Sequence, residues 1–390
     1  MKITDVAITQ VAIPYKEPIR LSFVDEQYFS SVIVQVYTDE GIVGLGETSV
    51  ATHTDEVTAM LKNIKRLLIG EDVFDVEKHL KLYLGSGGGA IWWLEHAVSA
   101  VAAVEIACWD IIGKYLKTPV YKLLGGKYRE KIPITAFLGI KKPEEVSKDA
   151  LKAVEQGIKT LKLKVGRNPE EDIEILKKVR DAVGNDVEIR VDPNQAWTPA
   201  FAIRQIRKME RYDPQYIEQP VPRWDLEGLK QVKKAVGVPI CACESVLTIY
   251  KAMEIIRKEA ADIISTDPTR MGGILQMKKL AAIAEAADIP VVTHVSWGTI
   301  STSAWLQLCV SCPNIMLAND LLVANGVGRV NADEVTKELF YHEKGYVTPF
   351  EKAGLGVTID EEKLKKYSNL FQELVAKKKK PEFFACPPMF

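Results

Sequence analysis

The sequence predicts an α/β fold, a barrel of eight parallel strands preceded by a smaller α+β region, and three observations carry that prediction. Seven apolar, β-branched runs recur about one βα unit apart within residues 159–320: TLKLKVG, VEIRVDPN, PQYIEQP, PICACES, DIISTDP, PVVTHV and NIMLAND. Amphipathic helical stretches lie between them, and strands that alternate with such helices pair in parallel. The 390 residues exceed the size at which one hydrophobic core keeps growing, so two structural units are expected.

Residues 1–50 read as a meander, with SSVIVQVYTDEGIVGLGET forming two strands joined at the Asp39-Glu40-Gly41 turn. The period changes over residues 54–126, where HAVSAVAAVEIACWDIIGKYL is apolar on all faces, as in a buried helix. Leu123-Leu124-Gly125-Gly126 then stops that block. Strand and helix alternate from about residue 133 to about 338, with ITAFLG as the first barrel strand. PEEVSKDALKAVEQG and PEEDIEILKKVRDAVG are helices opened by Pro and closed by Gly, and ILQMKKLAAIAEAADIP is a third. Beyond 341 the rhythm is lost: YHEKGYVTPFEKAGLGVTID is turn-rich and returns to the first region, followed by a helix and the tail KKKKPEFFACPPMF, read as a solvated or packed end. The expected units are 1–130, 131–340 and 341–390, the last packing back on the first.

Composition excludes several classes. With 51 Lys+Arg against 52 Asp+Glu, the net charge of -1 offers nothing to nucleic acid or an anionic membrane, so a small molecule is the expected partner. No signal peptide is read at the N-terminus and no run approaches the ~18 apolar residues of a membrane span. Six cysteines, Cys108, Cys241, Cys243, Cys309, Cys312 and Cys386, are too few and irregular for a disulfide framework, so a cytoplasmic protein is expected. Cys241 and Cys243 face the same way on one strand, but no second Cys/His pair nearby completes a zinc site, and they read as buried small hydrophobes.

The strand-like runs end near Lys164, Asp192, Glu218, Glu244, Asp267, His294 and Asn319, and the C-terminal ends of parallel barrel strands share one mouth. Asp192, Glu218 and Glu244 are each 26 residues from the next, the same place in consecutive βα units. Singly such residues are commonly helix caps or surface charges. Three carboxylates at one mouth repel one another unless a cation joins them, and all-oxygen ligation favours Mg²⁺. Lys162 and Lys164 flank Leu163 and point to the same side of the barrel. Near a metal, each ammonium favours the neutral form of the other, which makes a base; the plainer reading is two lysines neutralising the carboxylates. Asp267 and His294 end consecutive strands, where a carboxylate hydrogen-bonded to the ring fixes its tautomer. His53, His79, His96 and His342 have no comparable partner, and Gly85-Ser86-Gly87-Gly88-Gly89 lacks the strand and GK[ST] of a phosphate loop.

Together LKLKVG, VDPNQAW, YIEQPV, ACES, DPTRMGG and THVSWG resemble the mandelate racemase subgroup of the enolase superfamily, and CWDIIGKYLKTPVYKLLGG resembles the end of that superfamily's N-terminal capping domain. The resemblance implies a modified (β/α)7β barrel with an α+β cap completed by the C-terminal segment, and a homo-oligomer. It assigns Mg²⁺, with Mn²⁺ as the alternative ion, to Asp192, Glu218 and Glu244. Lys164 would be one base with Lys162 as its electrostatic partner, and His294, oriented by Asp267, the acid/base on the opposite face. Asn194 would contact the substrate carboxylate or 2-hydroxyl. The muconate-cycloisomerase type would carry a second lysine where Asp-Pro-Thr-Arg stands at 267–270, and its third ligand at Cys243. One departure is the last strand, where the subgroup often has a glutamate against the enediolate and this chain has Asn319, able to donate a hydrogen bond, with Asp320 beside it.

The implied reaction removes the proton α to a carboxylate. If the substrate has a 3-hydroxyl, its loss gives a 2-keto-3-deoxy acid, so an acid-sugar dehydratase is expected by family analogy. Reprotonation on the other face would instead make a racemase or epimerase of a 2-hydroxy acid or amino-acid derivative, and a cycloisomerase is a further alternative. A relict barrel that only binds is the non-enzyme alternative, and a histidine-ligated hydrolase barrel has too few histidines at the mouth. Specificity is expected in residues 16–29 and 49–56, where Phe23, with Tyr28 and Phe29, would either present an apolar wall to the substrate or serve as packing residues.

Overall fold

A computed structural model describes residues 1–48, 54–79, 94–294, 298–321, 323–328, 331 and 333–377. Among these residues no helix is long and apolar enough to cross a membrane. The N-terminal meander is an antiparallel sheet of β1 (Ile3–Arg20), β2 (Asp25–Thr38) and β3 (Val43–Thr48). Two helices, α1 (Thr54–Leu68) and α2 (Leu94–Tyr115), cover it. Val32, Val34 and Val36 of β2 meet Val57, Leu61 and Leu68 of α1 and Ala100, Ala103 and Ala107 of α2 in one apolar cluster. Glycine permits the approach of α2, since a Cβ at Gly46 would stand 1.7 Å from the Ala103 carbonyl oxygen.

The barrel strands follow as β4 (Thr135–Leu138), β5 (Thr160–Lys164), β6 (Glu188–Asp192), β7 (Tyr216–Glu218), β8 (Ile240–Ala242), β9 (Ile263–Thr266) and β10 (Val291–Thr293). They pair in chain order, all parallel, as one seven-stranded sheet. Helices between them carry local start and stop signals. In α3 (Pro169–Val183) Asn168 Oδ1 accepts from the Glu170 amide at 3.1 Å, Pro169 opens the first turn, and Gly184 at φ 73° ends it. Trp197, Trp305, Ile217 and Ile240 belong to the continuous core between sheet and helices.

NIMLAND was expected to be an eighth strand, and it is reduced to a single parallel bridge, Ile134 to Asn319. The Asn319 amide donates to Pro133 O at 2.8 Å and its carbonyl accepts from Thr135 at 2.9 Å, while its side-chain oxygen takes the Thr293 amide at 3.0 Å. The Asn319 side chain thus adds to sparse backbone links with β10, Val291 N to Asn314 O at 3.2 Å and Asp320 N to Thr293 O at 3.5 Å, and the run joins β4 to β10 without extended pairing.

Residues after 341 lie against the N-terminal region. Gly354 donates to Thr118 O at 2.9 Å and Leu355 to Asp110 Oδ1 at 2.8 Å, and α4 (Glu361–Ala376) packs on β1. At the barrel mouth the β1–β2 turn is pinned over β4 and β5: Ile140 donates to Arg20 O at 2.8 Å and Arg167 Nη2 to Val24 O at 3.0 Å.

Candidate active site

The alternation of TLKLK turns Leu163 away from the mouth and both lysines toward it, each almost wholly buried. Lys162 Nζ reaches Glu218 Oε1 at 2.7 Å, Asp320 Oδ2 at 2.9 Å and Asp192 Oδ2 at 3.3 Å. Lys164 forms a close ion pair with Asp192 Oδ2 and donates to Asn194 Oδ1 at 2.7 Å, with its Nζ 5.0 Å from the centre of the Phe137 ring. Asn194, left-handed at φ 46°, donates through Nδ2 to Glu244 Oε1 at 2.9 Å. One chain of ion pairs and hydrogen bonds thus runs from Lys162 through Asp192, Lys164 and Asn194 to Glu244.

Burial works against every charge in this cluster, and the neighbours decide the outcome. For Asp192, burial is outweighed by Lys164 and Lys162, which hold its carboxyl below the usual range. Lys162 is buried too, but Asp320, Glu218 and Asp192 hold its ammonium well above the usual lysine range. Apart from any metal, the arrangement is that of the plainer reading, a lysine neutralising the acids around it. Glu218 is pushed up to about 7, by burial first and by Asp192 and Asp320 next, against Lys162. Glu218 Oε2 and Glu244 Oε2 are buried without a hydrogen-bond partner.

Across the barrel, Asp267 Oδ1 accepts from the Arg270 amide at 3.0 Å and from the Thr269 hydroxyl, capping a short helix, Pro268–Met271. Its Oδ2 lies 3.6 Å from His294 Nδ1, within ion-pair range but beyond the hydrogen bond expected from the sequence. The carboxylate's other oxygen is committed to its own helix, which limits its reach. Burial pushes Asp267 up to about 6 against Arg270 and the Thr269 hydrogen bond. A ring nitrogen of His294, a Glu218 carboxylate oxygen and Cys243 Sγ lie within 4.8 Å of one another, so both sides of the mouth meet at Glu218.

The structure does not bring Asn319 into this cluster. Its Oδ1 accepts from Thr293 and its Nδ2 donates to Leu317 O at 2.9 Å, so the side chain serves barrel closure, and Asp320 reaches Lys162 instead. Phe23 is half-buried in the β1–β2 turn and packs against the main core. Residues 49–53, with His53, lie outside the described residues, as do Gly85–Gly89, most of the basic tail and Cys386. Sequence reasoning missed Gln219, whose Oε1 accepts from the Cys243 and Ser245 amides at 3.0 and 3.1 Å and orders the backbone around Glu244. It also missed Arg190, 4.0 Å from Asp320 Oδ1 inside the barrel; its inward position in VEIRVD was the available signal.

Residues 3–125 match the family described as mandelate racemase / muconate lactonizing enzyme, N-terminal domain, and residues 145–363 match the enolase C-terminal domain-like family. The chain belongs to the mandelate racemase / muconate lactonizing enzyme family. As a member it is an enzyme of the enolase superfamily, with that superfamily's barrel and capping sheet. It is 34% identical over 367 residues to the L-Ala-D/L-Glu epimerase of Clostridium acetobutylicum, covering 92% of this chain and 99% of that one. It is 32% identical over 342 residues to the arabinonate dehydratase of Saccharolobus solfataricus, covering 84% and 88%. Its structure matches a dipeptide epimerase of Enterococcus faecalis complexed with Mg and the dipeptide L-Leu-L-Tyr at TM-score 0.83 and 32% identity, covering 92% and 100%. Relatives in this family therefore include both epimerases and dehydratases.

Proposed function

We propose that this enzyme removes the proton α to a substrate carboxylate with Lys164 and delivers a proton from the opposite face with His294. The observation that carries the reading is the placement of an amine on β5 and an imidazole after β10 on either side of one buried carboxylate cluster. Asp192, Glu218 and Glu244 would hold Mg²⁺ or Mn²⁺; the unpartnered oxygens of Glu218 and Glu244 and the all-oxygen donor set fit a hard divalent cation. Such a cation, when bound, supplies positive charge against the dianionic enediolate that forms on deprotonation.

The chain's own residues do the rest. Lys162, held protonated by its three carboxylates, stays a fixed positive charge beside the substrate carboxylate, while Lys164, hydrogen-bonded to Asn194, takes the proton. Asp267 steadies His294 through Nδ1. Asp320, rather than Asn319, is the last-strand side chain tied to Lys162, at 2.9 Å, and would help to hold that ammonium in place. Residues 131–340 form the reacting unit, 1–130 with 341–390 cover it, and the turn carrying Phe23 faces the substrate from above.

An acid-sugar dehydratase is the preferred fate. His294 as an acid could assist the departure of a 3-hydroxyl, giving a 2-keto-3-deoxy acid; the Lys164/His294 pair serves either fate, and the preference rests on the dehydratase relatives. Epimerisation is the second reading, supported by the epimerase relatives, and needs only that His294 return the proton to carbon. With Mg²⁺ in D₂O, aldonates and N-substituted amino acids or dipeptides are screened by NMR. Keto-acid release selects dehydration, α-deuteration with inversion selects epimerisation, and no exchange with either library refutes the proposal.

A further inference from the structure

Cys243 has no part in the proposed reaction, yet it stands at its centre. Its Sγ, a Glu218 carboxylate oxygen and a His294 ring nitrogen come from three different strand ends and converge within 4.8 Å of one another. Tetrahedral sites for zinc-class ions use these three donor types at about 2.0–2.3 Å, which sets neighbouring donors about 3.5 Å apart. The three groups therefore need to draw in by only about an ångström. Two further observations point to a ligand here. Glu218 Oε2 is wholly buried with no hydrogen-bond partner, Oε1 being taken by Lys162. Asp267 Oδ2 stands 3.6 Å from His294 Nδ1, near the place an outer carboxylate takes beside a metal-bound imidazole.

We propose that Glu218, Cys243 and His294 form a second, sulfur-containing site for a thiophilic divalent cation of the zinc class, overlapping the all-carboxylate site through Glu218. Soft nitrogen and sulfur donors select Zn²⁺ over Mg²⁺, whereas three carboxylates do the reverse. On binding, the Cys243 thiol releases its proton to solvent as the metal–sulfur bond forms, with no change in oxidation state. Burial, with Glu218 and Glu244 beside it, pushes the Cys243 thiol well up in the absence of an ion; Arg270 Nη1, 3.4 Å from Sγ, works the other way, and the metal–sulfur bond supplies the rest. The ion withdraws Glu218 from the hard-metal site and occupies His294, so Zn²⁺ inhibits an enzyme that Mg²⁺ supports.

The test uses the full chain stripped of metal and titrated with Co²⁺ as an optical stand-in for Zn²⁺. A thiolate-to-cobalt charge-transfer band with strong tetrahedral visible bands is expected, and Zn²⁺ should abolish both by displacement. Cys243→Ser and Cys243→Ala should each lose the charge-transfer band while keeping the unfolding temperature, and His294→Asn should weaken Co²⁺ binding about tenfold or more. Cys241→Ser, on the same strand, should keep the band. A weak octahedral spectrum without charge transfer, or a band that survives loss of Cys243, overturns the site. This readout needs no turnover, so its failure leaves the proposed reaction standing, and failure of the reaction leaves the optical result standing.

Discussion

The two sides of the barrel mouth each carry an aspartate at a strand end, Asp192 closing β6 and Asp267 following β9, and the two carboxyls are shifted in opposite directions. Asp192 is buried but has two lysines against it, and it stays ionised below the ordinary range. Asp267 is equally buried, faces His294 at 3.6 Å, and is pushed up to about 6. The first side is a lattice of ion pairs at 2.7–3.3 Å around Lys162; the second has a single, longer contact of 3.6 Å. Burial is common to both, so the number of close cations decides whether the carboxyl is shifted down or up.

The largest expected effects fall on the proton-transferring groups, one from each side. Lys164→Ala and His294→Asn should each lower α-proton exchange by about 10²–10⁴-fold, the usual contribution of a positioned acid or base. Full exchange in either variant removes that residue from the mechanism. Next comes the lattice itself: Lys162→Met leaves Asp192, Glu218 and Asp320 without their shared ammonium and should cost about 3–5 kcal/mol in chemical denaturation. Unchanged stability would mean that the first side does not rest on Lys162.

Asp267 and Asp192 should then differ in sign with pH. Between the ordinary value of 3.8 and about 6, native Asp267 keeps a proton that the unfolded chain has released, so its contribution to stability declines as pH rises through that window. Asp267→Asn should abolish that decline, shifting the wild-type-minus-variant difference by about 3 kcal/mol between acid and neutral pH. Asp192, whose carboxyl is depressed, contributes stability above 3.8 and loses it on acidification. Matching slopes for Asp192→Asn and Asp267→Asn would break the comparison. The smallest effect belongs to Phe23→Ala, expected to raise KM about two- to fivefold with kcat little changed, through lost apolar contact at the half-buried turn.

Much of this was legible because the signals are local. Strand alternation turned Lys162 and Lys164 to one side, a 26-residue recurrence placed Asp192, Glu218 and Glu244 at equivalent strand ends, and Pro, Asn and Gly marked the ends of α3. The last strand misled because NIMLAND reads as a β run, while its end is used as a one-residue bridge to which the Asn319 side chain adds a hydrogen bond from Thr293. Asp320 was noted as a neighbour of Asn319 but not as the residue that reaches Lys162, since which of two adjacent residues faces inward depends on register at the closure.

By itself, then, the sequence determined which residues end the barrel strands and which chemical groups the mouth contains, because periodicity and spacing are properties of neighbouring residues. Tertiary structure alone decided that Lys162 is held charged, that Asp320 displaces Asn319, and that Cys243 meets His294 beside Glu218. Those outcomes depend on distances across a closed sheet and on charges summed in a buried volume, and neither is written in the order of the residues.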